Sequence, residues 1–271
     1  MADKPVNHAR KTWLAIGLLI VLGLTFVSLG RWQLNRADER RAIALTIGEG
    51  RQSAAVTLTS ATTIQGLSPW QSVTVSGTWL PQYSVLLDNR NLAGKPGLWL
   101  ATPLRLQGQA AVLVLRGWVA RPIGSYNPFP AIQTPSTPVT VDGELAARVP
   151  QLYELSAESP LSFVTLGSSP SEQTHHETLD LNPLPQRQNV SLTELSEVTG
   201  LQFLPWVVMQ TDNRDGQPLA RSWPEPSIDA DTNMGYAMQW FGFSAIAWGA
   251  VVVLLWRLRR RAKIYTKELP R

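Results

Sequence analysis

The chain contains no cysteine. That excludes a disulfide framework and any thiolate metal site, including a copper–thiolate carrier. Histidine is scarce as well: His8, His175 and His176 are the only three. The adjacent pair falls in a polar stretch with Glu177 beside it and no third ligand at metal spacing, so a solvated loop is the expectation. Missing too are a P-loop, a dinucleotide-binding glycine pattern, a nucleophile elbow and a zinc motif. The acidic residues are dispersed, and no Ser/His/Asp set is suggested. The expectation is that the chain is not an enzyme.

What is present is two long apolar runs. The first, Trp13 to Arg36, ends abruptly in Gly30-Arg31-Trp32-Gln33 with Arg36 close behind. The second, Tyr236 to Trp256, carries no charge. About 20 apolar residues cross a bilayer as a helix, so both read as spans. A signal peptide is the rival reading of the first run. No small-x-small cleavage site follows Phe26, and the run is long enough to span, so an uncleaved anchor is expected. The second run holds Gly242, Ser244, Ala245, Ala247, Gly249 and Ala250. Ala245, Gly249 and their small neighbours make a candidate face for packing on the first span or on a partner.

The formal charge is +4, and its basic residues are clustered. Arg257, Arg259, Arg260, Arg261 and Lys263 follow the second run directly, which reads as topology rather than nucleic-acid binding. The opposite end of that run has Glu225, Asp229 and Asp231, with Arg221 nearby. Both termini are therefore expected in the cytoplasm and the middle outside. The first span dissents, because Arg31, Arg36, Arg40 and Arg41 outnumber Lys4, Arg10 and Lys11 on its inner side. Those outer arginines need a cause.

Roughly 180 residues lie between the spans, enough for one compact domain. Leu34 to Arg51 continues with helical character, with Leu34, Ala37, Arg41, Leu45 and Gly48 on one side. Residues 52–69 lose periodicity. Gln71 to Trp79 alternates, with Val73, Val75 and Trp79 on one face. Tyr83 to Asp88, Leu98 to Leu106, Ala110 to Val119, Pro138 to Ala147 and Pro205 to Thr211 read as further strands. Gln107-Gly108-Gln109 reads as a hairpin loop, and Asn89 to Gly97 as a turn. Residues 121–137 and 167–190 are expected to be loops. Ser191 to Glu194 fits a capping box opening a short helix that stops at Gly200. Short strands at this spacing argue an antiparallel sheet, curled or closed.

The outer membrane face gathers Arg31, Trp32, Gln33 and Arg36 from the first span with Tyr236 and Trp240 from the second. One reading is an interfacial belt, with aromatics at headgroup level and arginines snorkelling. The other is a site for a large planar anionic ligand or a partner subunit, because the planar Arg fork binds carboxylates bidentately.

Gly30-x-Trp32-Gln33-x-x-Arg36 resembles the N-terminal signature of the Surfeit locus 1 family of cytochrome c oxidase assembly proteins. Val73 to Gly77, Gly97 to Pro103, Val112 to Val119, Leu192 to Gly200 and Tyr236 to Phe241 resemble that family's later segments in order and spacing. The resemblance implies a bacterial inner-membrane protein with two transmembrane helices flanking an outward-facing α+β domain with an antiparallel, barrel-like β-sheet. Its parts would be a cytoplasmic tail (1–12), a first span (13–33), a periplasmic domain (34–235), a second span (236–256) and a basic cytoplasmic tail (257–271). The implied function is maturation of the heme-copper oxidase by delivery of heme a. The implied partners are the oxidase catalytic subunit, the heme a synthase and the lipid bilayer. Arg31 or Arg36 would meet the heme propionates, and Trp32, Tyr236 or Trp240 the ring. Many members carry a His three residues before the second-span Tyr, where this chain has Asn233, a poor iron ligand. Arg116 is expected to be structural, at a strand end. Two other readings stay open: a scaffold for an oxidase intermediate that binds no heme, and an outward-facing ligand sensor.

Overall fold

The computed structural model describes residues 5–62, 65–122, 129–153, 160–163, 176–181 and 184–267. His175 lies outside the described residues. The first elements in chain order are α1 (Pro5–Gln52), β1 (Val56–Leu58), β2 (Ser72–Trp79), β3 (Val85–Leu92), β4 (Lys95–Arg105) and β5 (Ala110–Ala120). There follow β6 (Ile132–Pro135), β7 (Val139–Ala146), β8 (His176–Leu179), β9 (Gln186–Arg187), α2 (Leu192–Thr199), β10 (Gln202–Gln210) and α3 (Asp231–Lys267). The chain forms two compact units, residues 1–45 with 226–271, and residues 46–225.

The first unit is a pair of helices, each long and apolar enough to cross a membrane. In α1 the buried residues Ile16, Gly23, Gly30 and Ala37 recur every seven positions. In α3 the buried residues Ala230, Ala237, Ser244 and Val251 do the same, with Ala230 just before the first turn. A seven-residue repeat keeps one seam on the partner through a left-handed coil. Small side chains on both seams let the backbones come close, which supplies the packing that lipid cannot drive. The Ser244 hydroxyl donates to the Gly23 carbonyl at 3.0 Å across the seam. Trp248 lies over Gly23 and Phe241 over Gly30, filling the space a side chain would take.

This seam corrects one expectation in part: of the small residues expected to pack, Ser244 and Ala247 are buried. Ala245 and Gly249 are exposed, and a Cβ at Gly249 would meet nothing within 4 Å. They lie about 100° or more around the helix from Ser244 and Val251, on a stripe that faces away. The extension of α1 is helical as expected, but its buried residues are Ala37, Ile47 and Gly50, while Arg41 and Leu45 are exposed. The helix also begins at Pro5 rather than at the start of the apolar run.

The second unit is built on a five-stranded barrel. β2 pairs with β7, β7 with β10, β10 with β5 and β5 with β4. The barrel closes where Thr78 and Trp79 of β2 pair with Arg105 and Leu104 of β4. Val73, Val75, Trp79, Leu104, Val112, Val114, Val141, Leu145, Trp206 and Val208 form the interior cluster. Every other residue of β2 and β7 points into it, which is the alternation a closed sheet demands. The opposite faces of β4, β5 and β10 are buried too. Leu195 of α2, with Val149, Leu161 and Val190, packs there against Trp99, Leu113, Leu115 and Met209.

The barrel is antiparallel, as expected, at four of its five pairings, and parallel pairs make the sheet as a whole mixed. β10 runs parallel to β5, β1 to β2 and β9 to β3. A parallel neighbour needs a long crossover, and the stretch between β5 and β10 supplies one. The two stretches expected to be loops hold strands: β6 pairs antiparallel with β8, and β9 adds to β3. β1 likewise falls in the stretch without periodicity. These strands have two to four residues, too few for a pattern to register. At the β3–β4 turn, Ala93 and Gly94 both have positive φ, 49° and 77°. That is the backbone a two-residue type I′ hairpin needs. In α2, Ser191 accepts from the Glu194 N–H, and Gly200 caps the other end at φ 70°. Glu194 accepts from the Leu161 N–H at 3.2 Å and pairs with Arg187, so its carboxylate ties down the preceding loop.

Residues 46–52, the last turns of α1, belong to the second unit. Arg51 makes two hydrogen bonds to Glu144 of β7 and one of 2.7 Å to Glu225. Those contacts raise its pKa above the ordinary arginine value. Gly50 presses directly on the Pro69 carbonyl, where no Cβ fits.

Candidate functional site

Within the helix pair, a polar node interrupts the apolar seam. Asn233 Nδ2 donates to Gln33 Oε1 at 2.7 Å. Asn233 Oδ1 is buried and has no partner. Two turns further into α3, Trp240 stacks on Phe26 of α1, with ring centroids 5.7 Å apart. Residues advance about 100° around a helix, so Tyr236 and Trp240 share the flank of Asn233, and Arg36 shares that of Gln33. Arg36 is exposed and pairs with Glu39 at 2.8 Å, an i,i+3 surface pair. Such pairs contribute at most about 1 kcal/mol and are readily exchanged for another carboxylate.

The six residues singled out from the sequence thus divide. Gln33, Arg36, Tyr236 and Trp240 fall along one flank, with Asn233 among them. Trp32 lies one turn before Arg36, farther from the seam, and is 53% exposed. Arg31 is exposed, and its helical position puts it on the opposite flank. The two arginines therefore do not form one clamp.

The flank suits the edge of a heme in part. Arg36 can bind a propionate, and Tyr236, 49% exposed, offers a free aromatic face. The iron fares worse. Asn233 spends its amide N–H on Gln33, and Met238 points away at 70% exposure. The donor set matches the periphery of the macrocycle and not an axial ligand.

A second constellation sits in the barrel. Along β5, Val112 and Val114 point inward, and Arg116 continues that row. Leu100 pairs with Gly117 and Ala101 with Leu115, so Arg116 is the extra residue of a β-bulge. The expectation of a structural arginine at a strand end is corrected in its position: Arg116 is mid-strand and 1% exposed. Its guanidinium lies 4.7 Å over the Trp79 ring. It donates to Thr134 Oγ1 at 2.8 Å and to the Gln133 carbonyl at 3.1 Å. Its Nε has no partner. Burial lowers its pKa to about 10, with Asp215 raising and Arg221 lowering it further.

Arg116, Trp79 and Gln210 form the floor of a cavity of about 480 Å³. Its walls include Val139 and Val141, and its rim includes Asp212, Arg214 and Asp215. Gln210 Oε1 is a second buried atom without a partner. The sequence held one unused signal for this place: a single charged residue inside the apolar run Val112 to Val119.

The rim is tied together by Asp212. Burial alone would raise its pKa. Hydrogen bonds from the Arg214 side chain and from the Asp142 and Arg214 N–H groups outweigh that and hold it below the ordinary value. A depressed carboxylate contributes stability above its unfolded pKa, near 3.8, that is lost as pH falls through the folded value. Asp212→Asn is expected to melt lower than the parent at neutral pH. The two melts should converge as the pH is taken below about 4.

The SURF1 family profile matches residues 20–245. A SURF1-like protein of Rickettsia felis is 32% identical over 104 residues, 37% of this chain and 45% of that protein. The chain thus spans less than half the length of that relative. An uncharacterized SURF1-like protein of Mycobacterium bovis is 24% identical over 244 residues, 88% of this chain and 81% of that protein. A SURF1-like protein of Rickettsia bellii is 31% identical over 102 residues, 37% of this chain and 41% of that protein. The family match takes in part of each apolar helix and the whole barrel between them, so this chain belongs to the SURF1 family.

Proposed function

We propose that the chain is an inner-membrane assembly factor for the heme-copper cytochrome c oxidase and that it hands heme a to the catalytic subunit. Family membership supports the oxidase, and the two apolar helices support the membrane. Both termini lie in the cytoplasm and the barrel domain faces outward, because the Arg257 to Lys263 cluster holds the end of α3 inside. Heme a is cargo here, and a heme a synthase is the natural donor. The observation that carries the reading is the Gln33–Asn233 node with its unpartnered oxygen, flanked by Arg36, Tyr236 and Trp240.

In this reading the chain holds the heme edge and leaves the iron free. Arg36 trades Glu39 for a propionate, and Tyr236 covers part of the ring. A cargo without a strong axial bond leaves easily, which suits transfer. The absorption spectrum of protein purified from cells that make heme a tests this. A Soret band that titrates to saturation supports it, and no Soret band at saturating heme overturns it.

A charge-assisted hydrogen bond contributes about 1.5–3 kcal/mol. Arg36→Ala is therefore expected to weaken heme retention about tenfold and to lower oxidase activity, with the amount of membrane-inserted protein unchanged. If oxidase activity is untouched, Arg36 is only an interfacial anchor. A scaffold that binds no heme is the second reading, and the missing axial ligand at Asn233 favours it. In that case the chain would co-purify with the oxidase catalytic subunit and show no Soret band.

A further inference from the structure

We propose that the mouth of the barrel is a binding site for a small carboxylate with an apolar body, and that Arg116 receives the carboxylate. This site lies wholly in the barrel unit and does not draw on the helix pair.

The argument begins with the interior rows. β2, β5, β7 and β10 each send alternate residues inward. Deep in the barrel those residues are Val75, Val114, Leu145 and Val208, and they pack against one another. Toward one end of the barrel, the same rows deliver Trp79, Arg116, Val139 and Gln210. Packing fails there, and a cavity of about 480 Å³ takes its place. That volume is in the range of small-molecule sites, which favour barrel mouths. A five-stranded barrel is narrow enough to fill itself with side chains, so an open mouth lined by polar groups is a departure from the rest of its interior.

The floor carries a charge that the protein does not neutralise by contact. Both Arg116 donations go to neutral oxygens, Thr134 Oγ1 and the Gln133 carbonyl. Among the described residues it makes no ion pair. The nearest influence is Asp215, but that carboxylate already pairs with Arg221 at 2.6 Å. Two buried guanidiniums, Arg116 and Arg221, thus share the field of one carboxylate. The compensating negative charge is at the rim, where Asp212 shares Arg214 with Asp142 just outside the lining. An incoming carboxylate is repelled at the rim and held at the floor. A cation would find the reverse, which assigns the deep position to an anion.

Two buried atoms at the floor lack partners, Arg116 Nε and Gln210 Oε1. The Arg116 N–H is a donor suited to a carboxylate oxygen. Gln210 Nε2 makes only two long contacts of 3.4 Å, to the Asp212 carbonyl and to Asp215. A rotation of its amide turns donors or acceptor toward the ligand. Trp79, Val139 and Val141 then contact the apolar body. A buried charge without an ionic partner costs stability. A ligand that supplies the missing anion recovers that cost on binding, and this makes the site selective for the ionised form.

The test uses the full chain in lipid nanodiscs and two isosteric probes, 4-fluorobenzoate and 4-fluorobenzamide, followed by ¹⁹F NMR. The benzoate is expected to bind saturably and the benzamide not to bind. Arg116→Met keeps most of the packing over Trp79 and removes the charge. Its melting temperature is expected to match or exceed that of the parent, since apolar replacement of a buried ion is often neutral or stabilising. Its benzoate affinity should fall by about tenfold or more. Gln210→Leu, a second variant at the floor, should weaken benzoate by a smaller factor. Equal binding of benzoate and benzamide, unchanged benzoate binding in a folded Arg116→Met protein, or no saturable benzoate binding at millimolar concentration each overturns the proposal.

Discussion

Gly30→Leu is expected to force the two helices apart. A Cβ at Gly30 would lie 2.7 Å from Phe241 Cε1 and 2.8 Å from Cζ, and the rest of a leucine has nowhere to go. Phe241 cannot swing away freely, because it lies on the seam between Ala237 and Ser244, both buried. Overpacking of this kind costs about 1–3 kcal/mol, and in lipid close packing is the main thing holding the pair. The effect should spread to the Gln33–Asn233 hydrogen bond, one turn along the same seam. The absence of native cysteine gives a clean measurement. With Gln33→Cys and Asn233→Cys in place, a short bis-maleimide should cross-link the parent efficiently and the Gly30→Leu variant poorly. Undiminished cross-linking would show that the seam does not depend on Gly30. Gly249→Leu is the matched control, since a side chain there meets open space.

Gly97→Val is the corresponding lesion in the barrel unit, and its expected effect is larger. A Cβ at Gly97 would fall inside contact distance of the Trp118 indole and the Val119 carbonyl. The indole lies over the glycine and donates from Nε1 to the Arg90 carbonyl at 2.7 Å. Moving it breaks a partly buried hydrogen bond and uncovers the β3–β4 hairpin. Arg90 adds to the stake, because its guanidinium stacks 4.4 Å over the Trp99 ring and donates to the Gln188 carbonyl. The backbone carbonyl of Val119 cannot yield at all without loss of β4–β5 pairing. We expect a cost of about 3 kcal/mol or more. At about 2–4 °C per kcal/mol for a unit of this size, the melting temperature should fall by about 6–12 °C. A shift within 2 °C, within the effect expected of about 1 kcal/mol, would mean that the indole is not held in place.

Several features of this fold were legible because their periodicity is long. Val73, Val75 and Trp79, and Val141, Gly143 and Leu145, alternate over enough residues to fix which face is inside. The two apolar helices declared themselves by length, and Ser191 and Gly200 marked both ends of α2. What escaped was of two kinds. Strands of two to four residues carry no usable period, which is why β1, β6, β8 and β9 were invisible. Direction also has no signature in a single strand, so the parallel placing of β10 beside β5 could not be read. The seam of α3 is hard to read from sequence because its small residues fall on both the buried and the exposed face. Only a strict spacing of seven separates Ala237, Ser244 and Val251 from exposed Ala245 and Gly249.

The candidate sites show the same division. Gln33, Arg36, Tyr236 and Trp240 stand out as candidates by their place at the ends of two spans. Nearness in sequence groups Arg31 with them and hides the 100° between neighbours on a helix. Arg116 was visible as a charge in an apolar run, but its role depends on a bulge and on rows from three other strands. That combination exists only after the barrel closes.

The proposed role in oxidase assembly is tested most directly by oxidase activity and heme a content in membranes of the source cell lacking this chain. The account predicts a loss of oxidase activity, with catalytic subunit depleted of heme a, and recovery when the intact chain is restored. Unchanged activity with a fully hemylated catalytic subunit would contradict it.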